Sequence, residues 1–341
     1  MTDTALQRAI HALAHAMPLA GDDVADALEQ VMKGEASATQ IAAFLMGLRV
    51  RGDTAETVAG AARALRRAMV PLAADDPDSL VDTCGTGGGT VRTFNISTAA
   101  ALVAGGAGVR IAKHGNRSFT SSCGSADVLE ALGVRIEVPV QTMERALREA
   151  GIVFMFAPLM HPAMRHVGPV RRELAVPTVM NVIGPLANPA GAGRQVVGVA
   201  DASRVPVLAG ALAALGARHA LVVHGEPGLD ELSPLGVTHV LEIRDGKVTE
   251  WSLDPAHFDL TAGSAEELAG ASPEENARVI LEVLAGRGKR GARAAVLLNA
   301  AAAIYVSGRV DSFDAAVEAA TRALDSGAGT KVLERLRVAY Q

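Results

Sequence analysis

Aromatic residues are scarce: 7 Phe, 2 Tyr and 1 Trp make up 3% of the 341 residues. Ala, Val and Leu must therefore build the core, which favours close helix packing. Only two cysteines are present, which excludes a disulfide framework and fits a reducing compartment. Basic charge is not in excess either. Lys and Arg number 32 against 37 Asp and Glu, leaving −5 at neutral pH, with an isoelectric point near 6.0. That excludes a general electrostatic grip on nucleic acid or an anionic membrane, though not a local basic pocket. The longest apolar runs, around residues 99–109 and 294–306, contain Gly or Asn and are too short to span a bilayer. MTDTALQRAIHALAHAM has no basic segment followed by an uninterrupted apolar stretch. No signal peptide is expected, and the cytoplasm is the expected compartment. What the chain does have is 49% hydrophobic residues, enough for a substantial core in one large domain or two modest ones.

Residues 1–70 read as helices only. Ser37-Ala-Thr-Gln40 has capping-box spacing, and Asp53-Thr-Ala-Glu56 repeats it before the next helix. Ile41, Phe44, Leu45 and Leu48 recur on one helical face. Pro71 and the acidic stretch Asp75-Asp76-Pro77-Asp78 break this texture and mark a domain boundary. Short strands are then expected at 80–83, 109–112, 152–156, 195–200 and 220–223. Helices are expected at 97–104, 127–132 and 207–215. Alternation of this kind predicts an α/β domain with a mostly parallel central sheet flanked by helices. Residues 237–243 and 247–251, joined by Arg244-Asp245-Gly246, predict a hairpin at its edge. Helices return after Ser272-Pro273-Glu274-Glu275 and after Asp311-Ser312.

Three clusters carry chemistry. The first runs Asp82-Thr83-Cys84-Gly85-Thr86-Gly87-Gly88-Gly89-Thr90, with Asn95-Ile96-Ser97-Thr98 following. Glycines in a strand-to-helix turn let backbone amides approach an anion, and the helix start adds a positive dipole end. A plain glycine turn with a Ser/Thr cap accounts for this stretch equally well. It is neither a dinucleotide fingerprint nor a P-loop, since Thr90 replaces the needed glycine and no Gly-Lys-Ser/Thr follows. The second cluster, Lys113-His114-Gly115-Asn116-Arg117-Ser118, follows the second strand and suits a polyanionic or carboxylate ligand. Alone it would pass for a solvated loop; beside the first cluster that reading weakens. The third, His224-Gly225-Glu226-Pro227-Gly228-Leu229-Asp230-Glu231, offers paired carboxylates for Mg²⁺, although a bare Asp-Glu is more commonly an acidic surface turn. Zinc spacing and a Gly-x-Ser-x-Gly elbow are absent, so Cys84 and Cys123 are expected to be buried, reduced thiols.

The order GTGG, NIST, KHGNR, SS.GSADVLEALGV, HPAM.HV.PVR, N.IGPL.NPA and VVHG..GLDE resembles the anthranilate phosphoribosyltransferase family. The likeness runs from the helices around 40–69 to about Pro234 and is weakest after the hairpin. It implies a small helical domain, residues 1–70 completed by about 162–181, beside an α/β phosphoribosyl-binding domain, 71–161 and 182–341. It further implies transfer of 5-phosphoribose from phosphoribosyl pyrophosphate (PRPP) to anthranilate with release of pyrophosphate, and a homodimer through the helical domain. Implied PRPP contacts are Gly85, Gly88, Thr93, Asn95, Ser97, Thr98, Lys113, Asn116, Ser121 and Ser125. Gly89, Ile96, His114, Gly115, Arg117 and Ser118, in the same loops, are counted with the PRPP-binding residues. Mg²⁺ is implied at Ser97, Asp230 and Glu231, and anthranilate at Gly85, Asn116 and Arg171 with His114 close by. No residue is implied as acid or base; Lys113, Asn116 and Arg171 position and stabilise charge.

Three positions depart from the family pattern: Gly89 where it usually has Asp, Ala175 where it commonly has Gly, and Pro177 where it commonly has Arg. Two other classes are weighed. A pyrimidine nucleoside phosphorylase, which shares the architecture, would carry a Lys-x-Ser-x-Arg element and a His-Thr-Gly-Gly-Thr segment, both absent here. A non-catalytic nucleic-acid-binding homologue would add Lys and Arg along a groove, against the charge of −5.

Overall fold

Side-chain caps decide where three of the first four helices begin, α1 (Ala5–Ala14), α3 (Ala38–Arg51) and α4 (Ala55–Ala68), whereas α2 (Gly21–Met32) starts after Ala20 without one. The computed structural model describes residues 3–118 and 123–341. Ser37 and Gln40 form the expected capping box, the Gln40 amide donating to Ser37 Oγ at 3.3 Å and the Ser37 amide to Gln40 Oε1 at 3.0 Å. On α3, Ile41, Phe44, Leu45 and Leu48 are the buried residues, as their spacing predicts. The Asp53–Glu56 box does not form. Thr54 caps α4 instead, its hydroxyl accepting from the Thr57 amide at 3.1 Å. Both carboxylates are drawn into tertiary contacts: Glu56 accepts from the Gly21 amide at 3.0 Å, and Asp53 faces Arg204 at 3.5 Å.

Among the described residues one sheet has the order β3-β2-β1-β4-β5-β6-β7. Its strands are β1 (Val81–Gly85), β2 (Ile111–Gly115), β3 (Ile152–Phe156), β4 (Arg194–Gly198), β5 (His219–Gly225), β6 (Thr238–Arg244) and β7 (Lys247–Leu253). The first five run parallel; β6 and β7 add the expected antiparallel hairpin at one edge. Several strand ends shift from expectation, and two of these shifts bear on the site. β2 pairs residue for residue with β3 from Ile111 to Gly115, so Lys113 and His114 lie within the strand rather than after it. β1 likewise continues to Gly85 because it pairs with β4 along its whole length. Ladder hydrogen bonds carried these strands past the point where the apolar pattern stops.

Helices α5 (Ile96–Gly106), α6 (Ser125–Ala131) and α7 (Val140–Ala150) connect β1 to β2 and β2 to β3. α8 (Ala157–Met160) and α9 (Gly168–Leu174) follow β3, and α10 (Val205–Ala214) joins β4 to β5. α11 (Pro273–Leu284), α12 (Arg290–Val306), α13 (Phe313–Asp325) and α14 (Ala328–Ala339) follow the hairpin. Alanine replaces bulk where helices meet: α5 packs on α12 through fully buried alanines on both. On the other side α10 lies between the sheet and α4, with Val197, Val222, Leu208 and Val58 in one core. α9 and the turn Val179–Asn181 pack on α3, and Val167, Val170 and Val179 share a core with Leu6, Phe44 and Leu65.

Candidate active site

The strand order reverses between β1 and β4, the crevice where open α/β sheets hold ligands. Gly85 and Gly198 end these strands as register partners. Gly198 must be glycine, because a Cβ there would collide with the Asp230 carbonyl oxygen. Beyond Gly85 the chain turns through Gly87 at φ 69° and Gly88 at φ 82°, left-handed angles that a side chain would strain. Thr86 anchors the turn to β4: its amide donates to Gly198 O at 2.9 Å and its hydroxyl accepts from the Ala200 amide at 3.2 Å.

Across this crevice lie Asp230 and Glu231. The Gly87 amide donates to Asp230 Oδ2 at 2.8 Å, and the Ser97 amide, in the first turn of α5, donates to Glu231 Oε1 at 3.1 Å. The pair is therefore tied to the glycine turn and to α5, and is not an acidic surface turn. Asn299 on α12 holds the next residue from both sides. Its Oδ1 accepts from the Leu232 amide and its Nδ2 donates to the Leu232 carbonyl, both at 2.9 Å. Among the described residues the buried Lys113 ammonium donates to neutral oxygens, Thr83 O, Thr83 Oγ1 and Ser97 Oγ. Burial pushes Asp230 and Glu231 up, with the charge of Asp230 adding to the rise at Glu231. Burial pushes Lys113 down. Asp82 and Glu231 offset part of this cost at Lys113, and Lys113 part of it at Glu231; the burial that remains favours a cation at the carboxylates and an anion at the ammonium.

Asp82, which carries no expected role, stands fully buried in β1. It accepts from the His114 amide at 3.1 Å and from Asn188 Nδ2 at 2.8 Å, and burial raises it to about 6. A carboxylate inside a buried strand demands such partners; that demand was the available signal. His114 is buried, with its ring centroid 4.9 Å from that of His161. Burial first, then His161, lowers His114 to about 3, and burial lowers His161 to about 4. Both rings are neutral at pH 7, so His114 adds no cation to the cluster.

The rest of the second cluster divides. Asn116 is exposed, its Oδ1 accepting from the Arg117 amide at 2.8 Å and its carbonyl from Ser125 Oγ at 3.3 Å. Arg117 is engaged by acidic side chains of α6. Its guanidinium pairs with Asp127 at 2.9 Å and with Glu130, one turn apart on α6, and lies 5.6 Å from the Phe156 ring centroid. The Ser118 amide donates to Asp127 Oδ2 at 3.1 Å. Ser121 lies outside the described residues.

In the first cluster, the Ile96 side chain is wholly in the core. Thr98 is buried with a hydroxyl that has no hydrogen-bond partner among the described residues. Asn95 donates to Cys123 O at 3.1 Å and accepts from Asn276 at 3.0 Å, and Thr93 bridges Ala269 through the backbone. Arg171 sits on α9, partly buried, and no carboxylate among the described residues forms an ion pair with it. Burial lowers its pKa. The helix ends at Ala175 with φ 51°, left-handed despite the missing glycine. Cys123 is buried and Cys84 half-buried; both are free thiols, and burial raises both.

Residues 7–69 match the glycosyl transferase family helical bundle domain, and 77–330 match the glycosyl transferase family a/b domain. An anthranilate phosphoribosyltransferase of Rubrobacter xylanophilus is 49% identical over 97% of this chain and 96% of its own. The crystal structure of the Thermus thermophilus anthranilate phosphoribosyltransferase superposes with a TM-score of 0.92 at 42% identity, covering 97% of this chain and 99% of that one. The Saccharomyces cerevisiae enzyme in complex with PRPP and Mg superposes at 0.89 with 30% identity, covering 99% and 98%. It has also been solved with 4-fluoroanthranilate. With both domains matched in order and nearly the whole length shared, the chain belongs to the anthranilate phosphoribosyltransferase family.

Proposed function

We propose that this protein transfers the 5-phosphoribosyl group of PRPP to the amino nitrogen of anthranilate, releasing pyrophosphate, with Mg²⁺ bound at Asp230, Glu231 and Ser97. One observation carries the reading: a glycine turn, a buried lysine and two desolvated carboxylates converge where the strand order reverses. All three metal donors are hard oxygens. Two carboxylates leave room for substrate phosphates and water, the usual manner of Mg²⁺ binding. Bound there, Mg²⁺ would supply charge neutralisation for the pyrophosphate.

The chain's own residues do the positioning. Backbone amides around Gly85–Gly89, the hydroxyls of Ser97 and Thr98 and the Lys113 ammonium face the anionic groups of PRPP. Asn116, His114 and Arg171 hold anthranilate, the guanidinium pairing its carboxylate. A C–N bond forms at the anomeric carbon as the C–O bond to pyrophosphate breaks, and the amine proton passes to water. Anthranilate's aromatic amine is neutral near pH 7, so no strong base is needed. Holding the reactants in line and stabilising the leaving group suffice.

We assign residues 1–70 with 162–181 to a helical domain that meets the α/β domain across the ligand cleft. A homodimer through that domain is part of the reading, supported by Val50 and Met17, apolar yet 80% and 43% exposed. Among the described residues no helix is long and apolar enough to cross a membrane; the cytoplasm is the proposed compartment. The decisive assay is PRPP- and Mg²⁺-dependent loss of anthranilate fluorescence, with phosphorolysis of thymidine and uridine as controls. Phosphorolysis without anthranilate loss would overturn the reading.

Gly89 gives a sharper expectation. A Cβ there would lie 3.0 Å from Gly228 O and 3.6 Å from Asp230 Oδ1, so Gly89→Asp adds a carboxylate beside Asp230. The parent is expected to tolerate high Mg²⁺, and Gly89→Asp to be inhibited at lower Mg²⁺ because the added charge retains surplus metal. Gly89→Ala separates charge from crowding. Superimposable rate–Mg²⁺ curves for the parent and a folded Gly89→Asp would refute the charge effect.

A further inference from the structure

A second cavity, of about 300 Å³, opens between the end of α3, the Gly52–Asp53 link to α4 and the start of α10. None of its lining residues is among those assigned to PRPP, Mg²⁺ and anthranilate. Its polar groups carry charge of both signs, only loosely paired. The Asp53 side chain is nine-tenths buried; one oxygen sits 3.5 Å from Arg204 Nη1, and the other has no partner among the described residues. Arg204 also faces Asp201 at 3.5 Å. Both separations are long for charge-assisted hydrogen bonds, which run about 2.7–2.9 Å. Arg49, exposed at the cavity's edge, forms no ion pair with any described residue, yet its charge acts on Asp53. Asp201 is otherwise occupied, accepting from the Ser203 hydroxyl at 2.6 Å and amide at 3.1 Å. Val182, Val207 and Leu208 supply an apolar wall.

We propose that this cavity binds a free α-amino acid with an apolar side chain: its ammonium on Asp53, its carboxylate on Arg49 and Arg204, its side chain on Val182, Val207 and Leu208. A phosphate or simple carboxylate would face Asp53 and Asp201, and a bare cation would face two guanidiniums. A molecule carrying both charges on one carbon meets the Asp53 carboxylate and the unpaired Arg49 guanidinium together. The volume falls at the small end of ligand pockets. The burial that raises the Asp53 carboxyl is relieved once an ammonium meets it.

The test is calorimetric titration of the full protein with L-leucine, L-phenylalanine and L-tryptophan, without PRPP or anthranilate. N-acetyl-L-leucine lacks the cation and L-leucinamide lacks the anion; N-acetyl and amide derivatives of the other two complete the set. At least one free amino acid is expected to bind saturably, with both of its derivatives weaker by about tenfold or more, the loss of one hydrogen bond to a charged group. Arg49→Ala and Asp53→Asn should weaken it by a similar factor. The derivatives read the same charges on the unaltered protein, so the test survives a variant that folds poorly. No saturable heat at millimolar concentrations overturns the proposal. So does binding that ignores both derivatives and both variants, or inorganic phosphate binding more tightly than any of the three.

Discussion

Arg171→Ala is expected to raise KM for anthranilate about ten- to hundredfold while KM for PRPP changes little. The guanidinium is partly buried, burial lowers its pKa, and no described carboxylate is paired with it. A guanidinium in that state suits an incoming carboxylate. A hydrogen bond to a charged group contributes about 1.5–3 kcal/mol, and each 1.4 kcal/mol is a factor of ten. Steady-state kinetics with each substrate varied in turn separate the two constants. Arg171→Lys should recover only part of the loss, since an ammonium cannot form the paired fork with a carboxylate. Equal losses for both substrates would remove Arg171 from the anthranilate site.

The double variant Asp230→Asn, Glu231→Gln is expected to lower Mg²⁺-dependent turnover by about a hundredfold or more, from the several kcal/mol that metal charge stabilisation contributes. The fold should survive. Asn and Gln each retain an oxygen to accept from Gly87 and Ser97, the bonds that hold this loop. Stability supplies an independent readout. Both carboxyls have folded pKa values raised by burial, so over that range the native state holds protons the unfolded chain has released. Parent stability therefore falls as pH climbs from the ordinary carboxylate range through the raised values. The variant lacks this contribution, and its melting temperature should gain on the parent's as pH rises from acidic to neutral. Retained activity with unchanged Mg²⁺ dependence would return the pair to a structural role.

Local contacts were legible because they depend on spacing of a few residues. The Ser37–Gln40 box, the buried face of α3, the Ser272 and Ser312 caps and the β6–β7 hairpin all follow from neighbours in the chain. The Asp53–Glu56 box failed for a reason outside that range: Gly21 and Arg204 compete for its carboxylates. Arg117 shows the same limit. In a KHGNR run it stands as a ligand cation, but Asp127 and Glu130 claim it once α6 packs beside the loop.

By itself the sequence determined the α/β class, the helical start, the glycine turn and the residue types that the candidate site gathers. Only the tertiary structure decided which of them meet. Asn299 grips Leu232 from 67 positions away, Glu231 caps α5 across 134 and Asp82 meets Asn188 across 106. No periodicity encodes such distances, because they are set by β4 pairing beside β1 and by α12 packing against α5. Burial followed from the same packing. It neutralised His114, raised Asp230 and Glu231, and left Lys113 among neutral oxygens. Charge state in this site is a property of how far the fold excludes water, and a sequence carries the groups without their dielectric.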